Sequence, residues 1–369
     1  MKSRRFTRIT GKHKGKGDNM KNCSFATSIR LRRNKALRAV SLVALLGLGS
    51  VLAYSQEQSP VGENGSAPLI GVTNSNLNPL QIAILHWYDA NQTTSFAVGK
   101  GGGGIAFDGA NMWVVNSGDG TVTKLRVNDG ANLGTFAVGS GGTVGGVAFD
   151  GANILVANFS NNSITKLRAS DGANLGTFTS SRIKNPIALA FDGANLWVAN
   201  FTNKTVLKMR PSNGFNLLLR VVGSYPLAIA CDGINIWVVN YNDGTVTKLR
   251  ASDGLVLGTF AVGHSPYAVT FDGANIWVAN SQDSTVTKLR ASDGATLGTF
   301  ATGKTPCGLA FDGANVWVTN YWGTNVTKLR ASDGTNLGTF AVQNNPRSVA
   351  FDGASIWVVN DSSSTVSKL

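Results

Sequence analysis

Seven carboxylates recur along the chain at nearly constant intervals: Asp108, Asp150, Asp192, Asp232, Asp272, Asp312 and Asp352. Each is preceded by Phe, or once by Cys231, and followed by Gly, as in "FDGANIWVAN" from Phe271 to Asn280. The spacings are 42, 42, 40, 40, 40 and 40 residues. Carboxylates in such numbers raise two chemistries, general acid–base catalysis and calcium binding. Calcium lacks its signature, because no Asp-x-Asp-x-Asp loop and no calcium-binding nonapeptide occurs. Acid–base work lacks a second partner type. From Leu69 to Leu369 there are 17 Asp, no Glu, and only His86 and His264. Asp followed by Gly is instead a turn signal, since Asp bonds its own backbone and Gly takes positive φ at little cost. The same reading covers Asp129, Asp171, Asp253, Asp293 and Asp333, with Asp89 aligned to them.

Other reactive groups are as sparse. The glycines from Gly101 to Gly104 precede no helix and no Gly-Lys-Ser/Thr ending, so they are not a phosphate loop. No Ser sits in a nucleophile elbow, and no His or Cys cluster has metal-ligand spacing. Cys231 reads as a small core residue in a Phe position, and its register relative to Cys307 argues against a disulfide. No cofactor and no metal is expected.

The elements around these turns are short strands. Between Pro266 and Thr302 lie "PYAVTFD", "NIWVAN", "STVTKLR" and "TLGTFAT", each rich in β-formers and bounded by Asp-Gly or Asn-rich turns. Four antiparallel strands in about 40 residues, repeated about seven times, predict a β-propeller. The expected fold is therefore all-β, with seven four-stranded blades, and with eight blades or incomplete closure as the alternative. The residues three and one before the motif Phe are small in every repeat, from Gly104 and Ala106 to Ser348 and Ala350. Small residues there let neighbouring blades approach near the axis. Gln81 to Gly99 aligns with Thr285 to Gly303, so the amino end supplies strands that complete the last blade. The strand count comes to 29, one more than seven blades need, and "LIGVTN" from Leu69 to Asn74 could add another.

Residues 1–55 read as a signal peptide. Arg30, Arg32, Arg33, Lys35 and Arg38 precede an apolar run from Ala39 to Ala53, with small residues before Gln56. An uncleaved anchor and a start at Met20 are the alternatives. Residues 56–68 form a polar linker and 69–369 the propeller. The formal charge of +13 belongs to the leader, which holds 13 of the 33 basic residues and one of the 20 acids. Without it the chain has a net charge of +1. A nucleic-acid partner loses its support, and no membrane contact is expected beyond the export signal. The expected location is periplasmic, cell-surface or secreted.

"WVTN" at Trp317–Asn320, with its relatives "WVAN" and "WVVN", resembles the signature of YVTN-repeat propellers, and "NVTKLRASDG" resembles that family's third strand and turn. The resemblance spans roughly residues 69–369. It departs at the aromatic, which is Trp in six repeats and Leu155 in one. It implies a seven-bladed exported protein. The short Asp-Gly/Trp repeats are also similar to those of streptogramin (virginiamycin B) lyases, whose site relies on a His, a Glu and magnesium. With no Glu in the repeats, that site does not transfer.

The repeats agree at one rim and diverge at the other. Loops from second to third strand and loops between blades share the divergent rim, where aromatic and charged residues gather. Tyr225, Tyr241, His264, Tyr267, Lys304, Tyr321, Trp322 and Arg347 are the candidate binding residues, densest over blades 4 to 6. Phe159 and Phe201 lie on the same rim. The seven Asn ending the second strands, from Asn116 to Asn360, read as Asx-turn residues. The Lys of "TKLR" reads as a blade-edge cover, and its Arg as a local partner of the Asp three residues on. The functional expectation is a non-enzymatic binding scaffold for an unknown protein or carbohydrate. The alternatives are a streptogramin-lyase-like lyase or hydrolase, and a structural envelope component.

Overall fold

The computed structural model describes residues 94–139 and 143–369. In these residues 28 strands form seven four-stranded antiparallel sheets, the blades of a β-propeller. Blade 1 comprises Gly102–Phe107, Asn111–Asn116, Thr121–Arg126 and Asn132–Ala137. Blades 2 to 7 begin at Val144, Pro186, Pro226, Pro266, Pro306 and Pro346. Blade 7 takes Pro346–Phe351, Ile356–Asn360 and Thr365–Lys368 from the carboxyl end. Its outer strand is Thr94–Ala97, paired antiparallel with Thr94 opposite Lys368. The ring thus closes as the repeat alignment predicts. The surplus third strand near Gln81, the segment at Leu69, His86, the linker and the leader lie outside the described residues.

Asp-Gly makes the hairpin between first and second strands. Asp272 Oδ1 accepts from the backbone N–H groups of Ala274 and Asn275 at 2.9 and 2.6 Å, and Gly273 has φ of 99°. The other carboxylate oxygen serves the core. Asp272 Oδ2 accepts from Trp277 Nε1 at 2.7 Å. Burial pushes the equivalent Asp312 carboxyl up, but Trp317, Asn315 and Ala314 donate to it and hold it below the usual value.

Trp is the centre of each blade save blade 2. Trp277 is fully buried, with Lys288 Nζ 5.0 Å above its ring and Phe300 5.6 Å to its side. Each of the four strands or the turns beside them therefore contributes one group: Asp272, Trp277, Lys288 and Phe300. The cores form between blades rather than within them. Trp237, Val239 and Val246 of blade 4, for example, pack on Ile276, Val278 and Leu289 of blade 5. Burying such side chains contributes roughly 1.5–3 kcal/mol each.

Two close approaches hold neighbouring blades in step. Near the axis, a Cβ added to Gly104 would stand 3.3 Å from the backbone of Gly146 in blade 2. That is the reason for small residues on this strand face. At the outer edge, a Cβ on Gly334 would stand 2.1 Å from the ring of Phe300 in the preceding blade. Phe96 of the amino-terminal strand covers Gly130 of blade 1 in the same way. The closure seam is therefore packed like the other seams.

Three repeated side chains behave differently from the sequence expectation. The Lys residues of "TKLR" are not edge covers. Lys288 pairs across the sheet with Trp277, and its Nζ donates to the carbonyls of Ala331 and Ser332 in the next blade at 2.6 and 3.1 Å. Lys124, Lys208 and Lys248 do likewise, and Lys368 reaches Val127 O across the closure seam at 2.7 Å. Cross-strand register places the ammonium over an indole, where burial is tolerated because three donors find acceptors and a π-face.

The second-strand Asn residues are not Asx-turn residues either. Asn280 is fully buried, donates to Thr285 and Thr287 at 3.0 and 2.8 Å, and accepts from the Gly263 N–H at 3.0 Å. It staples the third strand to the inter-blade loop. The motif Phe, whose position reads as core from its replacement by Cys231, is only half buried. It packs against the core from the axial side and, with Ile105, Leu189, Ile229 and their equivalents, lines a cavity of about 570 Å³. The Arg residues fulfil the expectation, as Arg290–Asp293 at 2.9 Å and Arg330–Asp333 at 3.1 Å show. Neither Cys231 nor Cys307 forms a disulfide.

Candidate functional site

At the divergent rim each inter-blade loop folds onto the loop after the second strand. The N–H of Tyr241 donates to Tyr225 O at 3.0 Å, Ser281 to Ser265 O at 3.1 Å, and Tyr321 to Thr305 O and Asp361 to Asn345 O at 3.0 Å. The accepting residues precede proline and lie in the left-handed region, with φ of 54° at Tyr225, 49° at Ser265, 55° at Thr305 and 54° at Asn345. Such a φ is costly for a β-branched residue such as Thr305. The result is two rings of side chains at the axial mouth. One comes from the residue after each second-strand Asn, the other, in blades 3 to 7, from the residue after Pro.

Over blades 4 to 7 these rings enclose a cavity of about 460 Å³, within the range of ligand pockets. Tyr241, Tyr267, Tyr321 and Trp322 supply aromatic walls, and Arg347 supplies a cation. Ser265, Gln282 and Thr305 add uncharged polar groups. Tyr241 and Tyr267 meet edge to face with centroids 6.3 Å apart, and so do Tyr321 and Trp322 at 5.2 Å. Trp322 is 68% exposed.

Electrostatically the cavity is ordered around Asp361. Its Oδ2 accepts from Tyr321 Oη at 3.2 Å and from Arg347 Nη1 at 3.4 Å. Burial works against the Arg347 charge, but Tyr267 and Asp361 outweigh it and the guanidinium pKa stands above its ordinary value. Burial and the Asp361 charge push the Tyr321 hydroxyl up, so it stays protonated and donates. Cys307 lies at the cavity wall, its Sγ donating to Arg347 O at 3.1 Å, and burial pushes its pKa up to about 12. It is a neutral wall group, not a nucleophile.

Five of the eight candidate residues line this cavity: Tyr241, Tyr267, Tyr321, Trp322 and Arg347. Tyr225, His264 and Lys304 do not. Tyr225 belongs to an aromatic arc, 4.8 Å from Phe201, which in turn lies 5.9 Å from Phe159. The His264 side chain is 79% exposed, with Nδ1 2.9 Å from Asp283 Oδ1. Lys304 is exposed on its loop. Among the described residues no three His, Cys, Asp or Glu side chains converge on a possible metal position. Sequence reasoning missed Cys307 and Asp361 as members of the site. The register signal was present, since Cys307 follows Pro306 as Tyr267 follows Pro266, and Asp361 follows Asn360 as Tyr321 follows Asn320.

No protein-family model and no curated protein matches the chain. Solved structures do. Virginiamycin B lyase from Staphylococcus aureus has a TM-score of 0.65 at 15% identity, over 75% of this chain and 98% of the lyase. Kuenenia stuttgartiensis hydrazine synthase has a TM-score of 0.64 at 16% identity, over 73% of this chain and 95% of that one. A streptogramin B lyase has a TM-score of 0.63 at 15% identity, over 75% and 96% of the two chains. At these identities the likeness carries the propeller fold alone. The comparisons do not carry the narrower YVTN naming. They do correct the expectation of a chain that is not an enzyme. That expectation treated the propeller as a bare scaffold, whereas a lyase and a synthase have the same form.

Proposed function

We propose that this chain is an exported, YVTN-like propeller that binds a glycan or an extended protein segment in the divergent-rim cavity over blades 4 to 7. The observation that supports it most is the gathering of Tyr241, Tyr267, Tyr321, Trp322 and Arg347 around one cavity. These residue types bury large areas with little entropy loss and keep polar handles, as interface anchors do. They occupy positions that the scaffold leaves free. The residues corresponding to Trp322 in the other blades are Gly118, Ser160, Thr202, Asn242, Gln282 and Ser362. The leader supports action outside the cytoplasm.

The test is a glycan array and a peptide library probed with the chain from Gln56 onward, beside the triple variant Tyr241→Ala, Tyr321→Ala and Trp322→Ala. Binding is expected to disappear in the variant while its melting temperature stays within a few degrees. Undiminished binding by the variant rules out this cavity. Following each bound compound for turnover then distinguishes binding from conversion.

A further inference from the structure

We propose that the cavity is built for an acidic sugar, with the carboxylate docked on Arg347 and the pyranose ring laid on aromatic faces. The proposal rests on the reading above that this cavity is a ligand site. Arg347 is the one formally charged side chain lining it. Cys307, pushed up to about 12, and Tyr321, also raised, remain neutral near pH 7. Asp361 is not part of the lining and is 16% exposed. Asp361 pairs with Arg347 at 3.4 Å and so orients the guanidinium, and of the two only the guanidinium lines the cavity.

The guanidinium is also under-used. It carries five N–H donors in a planar fork. Asp361 takes one at 3.4 Å, longer than a tight charge-assisted bond, and Tyr267 is the other acceptor identified beside it. With 35% of the side chain exposed, donors remain for a ligand, and a carboxylate satisfies two at once. Trp322 supplies the second half of the recognition. Tyr321 meets it edge to face, which leaves an exposed indole. The C–H face of a pyranose is apolar and its rim is hydroxylated. Ser265, Gln282 and Thr305 offer side-chain hydroxyls and an amide to such a rim.

The experiment is calorimetric titration of the chain from Gln56 onward with trisaccharides of galacturonate, glucuronate and mannuronate. Their carboxyl-reduced neutral forms and a short peptide with a free carboxyl terminus complete the panel. At least one acidic trisaccharide is expected to bind roughly tenfold or more tightly than its reduced form, the range of a hydrogen bond to a charged group. Arg347→Gln, which keeps a donor for Asp361, should lower that affinity to the level of the reduced sugar. Arg347→Lys should fall between. Trp322→Ala should weaken both forms. Equal affinity for acidic and reduced forms, or no change in Arg347→Gln, overturns the acidic-sugar assignment. If Trp322→Ala still weakens binding in that case, the ligand-site reading stands. Binding of the peptide in place of every sugar overturns the sugar. If no probe binds, the ligand-site reading fails along with it.

Discussion

The two rims of this ring are made from the same repeat and are under opposite constraints. At the rim of the Asp-Gly hairpins the repeated carboxylate is committed in every blade. Asp272 satisfies two backbone N–H groups and the Trp277 indole, so replacing any member strands the others. At the opposite rim the stapling is done by one repeated side chain, Asn280, and by backbone bonds between the loops, and the other side chains beside them are released. Repetition therefore marks where side chains carry the fold, and divergence marks where they are free to carry a ligand.

The contrast is open to measurement. The largest effect is expected at the blade centre. Trp277→Ala should cost about 3–5 kcal/mol in urea unfolding, as large-to-small core changes do. Trp322→Ala, the same substitution at the divergent rim, should stay within about 0.5 kcal/mol. Equal losses would erase the distinction between the rims. Lys288→Ala comes next. It leaves the carbonyls of Ala331 and Ser332 without their donor and should cost roughly 1–3 kcal/mol, whereas exposed Lys304→Ala should cost almost nothing.

A pH series sharpens the picture of the cavity wall. The Cys307 thiol has a folded pKa of about 12 against an ordinary value of 9.0. An acid whose pKa rises on folding stabilises the fold fully below its unfolded pKa. That contribution is lost as pH climbs from about 9 towards 12, at roughly 1.4 kcal/mol per pH unit. The difference between the parent chain and Cys307→Ala, followed by unfolding at pH 8, 10 and 11, isolates this group from the titrating Lys and Tyr residues. A constant difference would show that the thiol is not desolvated. A modest effect of the opposite sign is expected at Thr305, whose φ of 55° is strained for a β-branched residue. Thr305→Asn, the residue at the equivalent Asn185 and Asn345, should stabilise by about 0.5–1 kcal/mol. A loss of that size would mean that the Thr side chain holds the cavity wall.

Much of the fold was legible because a repeat multiplies a weak signal. One Asp-Gly between two apolar runs suggests a hairpin, and seven at equal spacing suggest a ring. The pairing of Thr94–Ala97 with the last strand was readable from the alignment of amino and carboxyl ends. The Lys and Asn roles were not. Both depend on what a neighbouring element presents about 17 or 43 residues away, which strand periodicity does not encode. The candidate cavity was half legible. Its aromatics stood out against the repeat, but Cys307 enters its wall and Asp361 pairs with Arg347 only through register at the axial mouth, and His264 is left outside by its turn towards Asp283.

The sequence by itself determined the blade, its hairpins, the number of repeats and the rim on which they differ. These follow from local turn chemistry, strand propensity and period, which act over a few residues. Only the tertiary structure decided which divergent side chains share a cavity. Four blades contribute to it, and their order around the axis brings Tyr241, Tyr267, Trp322 and Arg347 to one place. It also decided that Arg347 lines this cavity and pairs with Asp361. Burial and charge at that point are properties of the closed ring, and no single repeat contains them.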